Sequence, residues 1–269
     1  MTEYVKIEST DELSYWEDRI LELFQKSFGR PLSPEAWRWM YLNNPNGLAY
    51  VTLAIENGQL SGHYAAVPTL LADVAGPFVA YRSMTTMVDP DSSAPGLFLR
   101  LGRRAHEELA ESGIRLIYGF PNANSAFTFE RFMRWRLVEA HEIADVPGRA
   151  ILGSPGIRAD LLTRGPVWWN LGDAGQAAWR LSNPGSVIED LGGLIIKHYG
   201  ALRNILHVDE VGIERIDPDQ SYRVLLRRST CLDHADVEVQ FPYQFGYRWL
   251  QDPEGQPPVK PDLIMSDVF

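Results

Sequence analysis

The sequence predicts an α/β chain in the α+β sense: a mixed, mostly antiparallel sheet with helices, followed by a second, degenerate half of the same kind. Three observations predict it. Tyr81–Trp135 reads as strand, loop, helix, strand, loop, helix. Asn57-Gly58 separates two apolar runs and is a strong hairpin signal, because the tight turn needs positive φ at both positions. Ala178-Trp179-Arg180-Leu181 and Asn183-Pro184-Gly185 echo Ala36-Trp37-Arg38-Trp39 and Asn44-Pro45-Asn46-Gly47, and each set precedes a hairpin-like pair of strands. The loop-like run Pro147–Gly156 then divides the chain into residues 1–147 and 157–269.

Taken in order, Val5-Lys6-Ile7 opens as a short strand. Ser9-x-x-Glu12 is a capping box, and Trp16, Ile20, Phe24 and Phe28 continue at helical spacing until Gly29. Ser33-Pro34-Glu35 starts a second helix, with a capping hydroxyl, proline in the first turn and an acid against the dipole. That helix carries Trp37, Trp39 and Tyr41 and stops in Asn43–Gly47. Tyr50–Glu56 and Gln59–Val67 are hairpin strands, with Pro68 closing the second; Thr69–Ala75 and Phe78–Val88 pair around Gly76-Pro77. After Asp91–Pro95, Gly96 opens a helix with Leu97, Leu101, Ala105 and Leu109 on one face, ended by Gly113. Ile114–Phe120 is a strand, Ser125–Arg134 a helix, and Arg136–Val146 the last strand of the first half. Gly193–Tyr199, Leu202–Val208, Tyr222–Arg227, Asp236–Phe241 and Asp262–Phe269 are the strands expected of the second.

At 269 residues the chain can hold one large domain or two small ones with ample core. A net charge of −10 and a pI near 5.1 argue against nucleic acid as a partner, since phosphate binding needs a basic surface. Cys231 is the only cysteine, so no internal disulfide forms. No basic-then-apolar leader and no run of transmembrane length occurs, so the expectation is a cytoplasmic protein with no membrane partner. His106-Glu107 and His141-Glu142 lack a second histidine at helical spacing, and Cys231-x-x-His234 is a single pair, so no metal is expected.

The order of elements around Tyr81–Trp135 resembles the acyl-CoA-binding core of the GNAT superfamily of N-acyltransferases. Trp37-x-Trp39-x-Tyr41-x-x-Asn44-Pro45-x-Gly47, Gly62-His63 and Tyr118-Gly119-Phe120-Pro121-Asn122-x-x-Ser125 are similar to a GNAT subgroup associated with surface-sugar biosynthesis. The second half resembles the degenerate partner of tandem sugar N-acyltransferases. The resemblance implies acetyl-CoA or another acyl-CoA as co-substrate and a small-molecule amine as acceptor, an amino sugar carried on a nucleotide in particular. It implies a monomer or homodimer. In the family the phosphate loop runs Gln/Arg-x-x-Gly-x-Gly/Ala; here Ser93-Ala94-Pro95-Gly96-Leu97-Phe98 keeps the central glycine alone, and Pro95 has no N–H to give.

The resemblance places the cofactor along Met87, Val88, Gly96, Leu97, Phe98, Asn122, Ser125 and Phe129, with backbone N–H groups near Met87-Val88 facing the thioester carbonyl. Direct attack by an amine needs a neutral amine, a donor for the oxyanion and a proton for the thiolate. The tyrosine many GNAT enzymes place seven residues after the asparagine is Phe129 here, which leaves Ser125 and Tyr118 as nearby donors. His63 is the candidate base, its ordinary pKa suiting proton transfer near neutrality; read from the strand alone it is equally a half-buried structural histidine. Two other readings stand beside acyl transfer: a GNAT-derived binding module without catalysis, and an aminoacyl or peptidyl transferase of related fold.

Overall fold

The computed structural model describes residues 2–138, 140–252 and 254–266. The chain opens with β1 (Thr2–Lys6) and enters α1 (Thr10–Tyr15) through Ser9, whose hydroxyl accepts the Glu12 N–H at 3.2 Å. The single helix expected through Trp16 is two. Trp16 turns at φ −93° and ψ −3° with its N–H bonded to Leu13, and α2 (Glu17–Phe28) starts afresh and stops at Gly29. Ser33 caps α3 (Pro34–Tyr41), accepting the Ala36 N–H at 3.1 Å.

β2 (Tyr50–Glu56) and β3 (Gln59–Asp73) form the expected hairpin across Asn57-Gly58. Pro68 does not end the strand: β3 runs on to Asp73 and pairs along most of its length with β4 (Gly76–Val88). The proline is tolerated because its backbone faces away from β4. β2 has already ended at Tyr50, opposite Ala66, and the Pro68 carbonyl accepts the Asn44 amide at 2.9 Å. α4 (Leu97–Glu111) buries Leu97, Leu101, Ala105 and Leu109, as their spacing predicts. It lies so close on β3 that a Cβ at Gly62 would stand 2.8 Å from Leu101. β5 (Leu116–Gly119), α5 (Ala123–Met133) and β6 (Arg136–Val138) follow.

Arg136–Val146 is not one strand. The chain leaves the first sheet after β6 and enters the second as β7 (His141–Pro147). The run expected as a loop, Pro147–Gly156, is mostly helical: α6 (Gly148–Gly153) and α7 (Pro155–Leu162). The signal for α7 is Ser154-Pro155, the same start that α3 uses, with the Ser154 hydroxyl accepting the Ile157 N–H at 3.2 Å. β8 (Trp168–Trp169) pairs with the end of β3, and α8 (Ala174–Leu181) precedes β9 (Val187–Asp190), β10 (Leu194–Tyr199) and β11 (Leu202–Val208). A 3-10 turn at Gly212–Arg215 leads to β12 (Ser221–Arg227), α9 (Arg228–Asp233), β13 (Glu238–Pro242) and β14 (Phe245–Trp249). Asp262–Phe269, expected as a final strand, contains a 3-10 turn at Leu263–Met265, and its residues 267–269 lie outside the described residues.

The first sheet has the order β1-β2-β3-β4-β5-β14-β6, and the second β13-β7-β12-β11-β10-β9. Among the described residues only β4–β5 and β11–β12 are parallel pairs. Each half therefore lends its last strand to the other: β7 lies beside β12, and β14 returns to lie between β5 and β6. The exchange crosses the expected division at residue 147. It also ties the halves through backbone ladders, not side chains alone. Tyr118, Ile143, Ile195, Leu206 and Phe245 share one buried cluster drawn from both sheets.

Candidate active site

β4 and β5 pair for three residues, Tyr81 with Ile117, Arg82 with Tyr118 and Ser83 with Gly119, and then diverge. Gly119 makes the last pair possible, since a Cβ there would stand 2.9 Å from the Ser83 carbonyl oxygen and 3.3 Å from the Trp135 ring. Beyond it a cleft of about 850 Å³ opens. One wall is β4 from Arg82 to Thr86 with Gly96, Phe98 and Leu99 from the start of α4. The opposite wall is Gly119–Asn122 with Ser125, Phe129 and Phe132 of α5. Phe24, Phe28, Leu32, Trp39 and Met40 close the third side.

The β4 wall is irregular where it faces the cleft. His63 pairs with Met87 but Ala65 with Met84, so Thr85 and Thr86 bulge together. Thr85 has φ +47°, a conformation that costs a non-glycine residue about 1–3 kcal/mol unless its surroundings hold it. Two side chains do so: the Tyr41 hydroxyl hydrogen-bonds the Thr85 hydroxyl, and His63 Nδ1 lies 2.8 Å from the Thr85 carbonyl. A carbonyl only accepts, so Nδ1 carries the ring proton. Burial holds His63 neutral, its pKa pushed down to about 4.

The two helix starts differ. The Asn122 side chain accepts the N–H groups of Asn124 (3.1 Å) and Ser125 (3.0 Å), so α5 is capped from within. Gly96, at φ +67°, has no side chain to cap α4, and the first turn of α4 carries no acid. An anion is therefore favoured at α4, through its first-turn N–H groups and the dipole. Arg100 fixes the loop before it, donating to the Pro95 carbonyl at 2.7 Å.

Gly96, Phe98, Asn122, Ser125 and Phe129 stand together on the cleft, Phe98 and Phe129 edge to face at 5.6 Å. The Ser125 hydroxyl donates to the Asn122 side-chain oxygen at 3.1 Å. Leu97 points into the core under α4. Met87 and Val88 lie just past the bulge, in register with His63 and Gly62, and are not on the cleft wall. His63 is 1% exposed and is not on the wall either; its side chain reaches the cleft only through Thr85. Tyr118 is fully buried against Phe120 and Phe245. Sequence reasoning missed Ser83, Thr85 and Thr86, although adjacent threonines break the alternation expected of a half-buried strand. Among the described residues no group of histidine, cysteine or carboxylate side chains could hold a metal ion, and no helix is long and apolar enough to cross a membrane.

A parallel strand pair that splays over a bulge, with an uncapped helix start beside it, offers room and N–H donors for an extended ligand with an anionic end. Residues 13–137 match the family described as acetyltransferase (GNAT) domain. The match covers 125 of the chain's 269 residues and is a likeness of this part to that family. The chain's fold is shared with a GCN5-related N-acetyltransferase from Kribbella flavida (10% identity, 94% of this chain and 72% of that one, TM-score 0.62). Eis1 from Mycobacterium abscessus is similar as well (11% identity, 93% and 74%, TM-score 0.60). A glucosamine N-acetyltransferase region of a fungal multi-domain β-N-acetylglucosaminidase matches 92% of this chain over 38% of its own length (11% identity, TM-score 0.55). No curated protein sequence matches the chain.

Proposed function

We propose that the chain transfers an acetyl or other short acyl group from acyl-CoA to a primary amine held in the β4–β5 cleft. The splay at Ser83 and Gly119 carries this reading, because it opens backbone groups and two aromatic walls to one extended ligand. The residues present suit CoA: the uncapped start of α4 at Gly96 and Phe98 for its pyrophosphate, and Asn122, Ser125 and Phe129 along the pantetheine. The bulge at Thr85-Thr86 lies where an acyl carbonyl would meet the strand. The expected contact at Met87-Val88 is retained as part of this reading, with the bulge as its nearer neighbour. The amine enters from the side of α2 and α3. Its nitrogen bonds to the carbonyl carbon, the carbon–sulfur bond breaks, and the proton lost by nitrogen ends on sulfur. Neither a metal nor a protein nucleophile is required.

The acceptor read from the sequence resemblance is an amino sugar carried on a nucleotide. Aromatic faces at Phe28 and Trp39 with the Asn183 amide beside them suit a sugar ring, and the fungal region of the same fold is described as acting on glucosamine. His63, Tyr118 and Ser125 remain the nominated proton-handling residues, Ser125 being the one that stands on the cleft. A cytoplasmic setting accords with acyl-CoA as donor. The altered loop at Ser93 and Pro95 favours one other reading, a scaffold that binds without catalysing.

The test is calorimetric titration of acetyl-CoA into the protein and into Gly96→Asp. Aspartate is among the residues that tolerate a left-handed backbone, and its charge opposes the pyrophosphate. The variant is expected to bind about tenfold more weakly or worse, a loss of about 1.4 kcal/mol. No heat at roughly millimolar ligand with folded protein would sink the acyltransferase reading.

A further inference from the structure

Three elements meet at the bulge on the β4 wall. Nδ1 of His63, on β3, lies 2.8 Å from the Thr85 carbonyl, and the hydroxyl of Tyr41, on α3, hydrogen-bonds the Thr85 hydroxyl. The Tyr41 and His63 rings stand edge to face at 6.3 Å and close the triangle. Both rings are buried, whereas Thr85 and Thr86 line the cleft. The holding pair is therefore behind the wall and the held pair on it.

These contacts fix the direction of the peptide between the two threonines. Side chains alternate along β3: Gly62 meets α4, and His63 meets Tyr41 of α3 on the other face. A carbonyl only accepts, so His63 Nδ1–H draws the Thr85 oxygen toward the α3 face. The described peptide bonds are all trans, and in a planar trans unit the N–H points opposite to the C=O. The Thr86 N–H is thus turned toward the α4 face, where Gly96 and Phe98 line the cleft. This orientation depends on Thr85 at φ +47°, which a β-branched residue keeps only when its surroundings impose it. His63 has no second contact to trade for this one. Its Nε2 is buried without a hydrogen-bond partner, and the ring reaches the cleft only through Thr85.

We propose that His63 and Tyr41 are positioning residues for acyl transfer: together they lock the Thr85–Thr86 peptide so that the Thr86 N–H faces the thioester carbonyl of acyl-CoA. The proposal rests on the acyltransferase reading. It moves the expected carbonyl contact from Met87-Val88 to Thr86, and it gives His63 a role in place of the proton transfer nominated for it. As the amine nitrogen bonds to the carbonyl carbon, the C=O π pair moves onto oxygen, and a fixed N–H stabilises it without reorganising. That pair re-forms the carbonyl as the carbon–sulfur bond breaks, and sulfur takes the proton lost by nitrogen. Trp39 and Met40 of α3 also line the cleft, so one helix both walls the acceptor side and holds the bulge.

The test needs no acceptor. The carbonyl stretch of bound acetyl-CoA, isotope-labelled at the acetyl carbonyl, is recorded by infrared difference in the wild type, His63→Ala, His63→Asn and Tyr41→Phe. Affinities for acetyl-CoA and for CoA, which lacks the thioester carbonyl, are measured alongside. Expected is a wild-type stretch below that of free acetyl-CoA, returned toward the free value in His63→Ala. That variant should bind acetyl-CoA about fivefold more weakly at unchanged CoA affinity. Asparagine presents an N–H close to where Nδ1 stood, so His63→Asn should keep the wild-type stretch. Tyr41→Phe keeps the ring and loses the hydroxyl, and should fall between. Should His63→Ala fail to fold, Tyr41→Phe against the wild type decides in the same way. Acetyl-CoA bound with one carbonyl stretch in the wild type and both loss variants overturns this proposal alone, and so does His63→Asn behaving as His63→Ala. A wild type that binds no acetyl-CoA overturns it together with the acyltransferase reading.

Discussion

The two sheets share one plan and differ in what stands between their parallel strands. β2-β3-β4 against β5 corresponds to β9-β10-β11 against β12; β14, β6, β1 and β8 complete the first sheet and β7 and β13 the second. Between β4 and β5 lies a 15-residue helix; between β11 and β12 lies a four-residue 3-10 turn. In the first sheet three pairs form before the strands part, whereas β11 and β12 meet at Asn204–Arg223 alone. The second half keeps a smaller cavity of about 470 Å³ at the end of β11, and Lys260 on its wall donates to the carbonyls of Asp160 and Thr163. Strand order is therefore not what makes the β4–β5 cleft. β11 is bulged at Leu206 as β4 is at Thr85-Thr86, so what the second half lacks between its parallel strands, among the described residues, is a helix long enough to have a dipole and an uncapped start.

The largest expected effect concerns two buried histidines of the first half. His63 and His106 have folded-state pKa values of about 4 and about 3, against 6.5 for the free side chain. Below roughly pH 6.5 the unfolded chain takes up protons that the folded chain refuses, so stability is full above that pH. It falls as pH drops toward the folded values, by up to about 1.4 kcal/mol per pH unit for each ring. Urea unfolding between about pH 4.5 and pH 6 should show this slope, and His106→Asn should reduce it by roughly one histidine's share. An unchanged slope in the variant would mean that burial and Arg248 do not hold His106 neutral.

Next in size is the contact that closes the second half. A Cβ at Gly212 would stand 2.0 Å from the Gly193 carbonyl oxygen, a backbone atom that cannot rotate away. Gly212→Ala is expected to cost about 3 kcal/mol, read as a lower urea midpoint. Gly96→Ala meets nothing within 4 Å and pays only for its positive φ, about 1 kcal/mol. Equal costs at the two sites would erase the contrast between a packed turn and an open helix start.

How far the sequence carried depended on whether the signal was local. Capping at Ser9 and Ser33, the Asn57-Gly58 hairpin and the buried face of α4 were all readable, because each is decided within about one turn of chain. The walls at Gly96, Phe98, Asn122, Ser125 and Phe129 were found through the order of elements around them. What escaped was set by distant chain. Pro68 sits inside a strand because β2 stops early and Asn44 reaches across. Arg136–Val146 divides because β14, more than a hundred residues on, takes the place beside β5. The positions of His63 and Met87 relative to the cleft were set by the bulge at Thr85, which depends on Tyr41 from another helix.

The smallest effect tests whether the halves act as one body. Trp39 of α3 and Trp179 of α8 stack at 4.6 Å with 12° between planes, and each indole N–H donates to the other's backbone carbonyl, at 2.8 and 2.9 Å. The sequence echo matched Trp179 to Trp37, yet the structure joins it to Trp39, the tryptophan that also lines the cleft. Trp39→Phe and Trp179→Phe each remove one donor and part of the stack, and each is expected to cost about 1–2 kcal/mol. Because the two rings share both bonds, the double variant should cost less than the sum by about 1 kcal/mol. Simple additivity would mean that each ring is held by its own half.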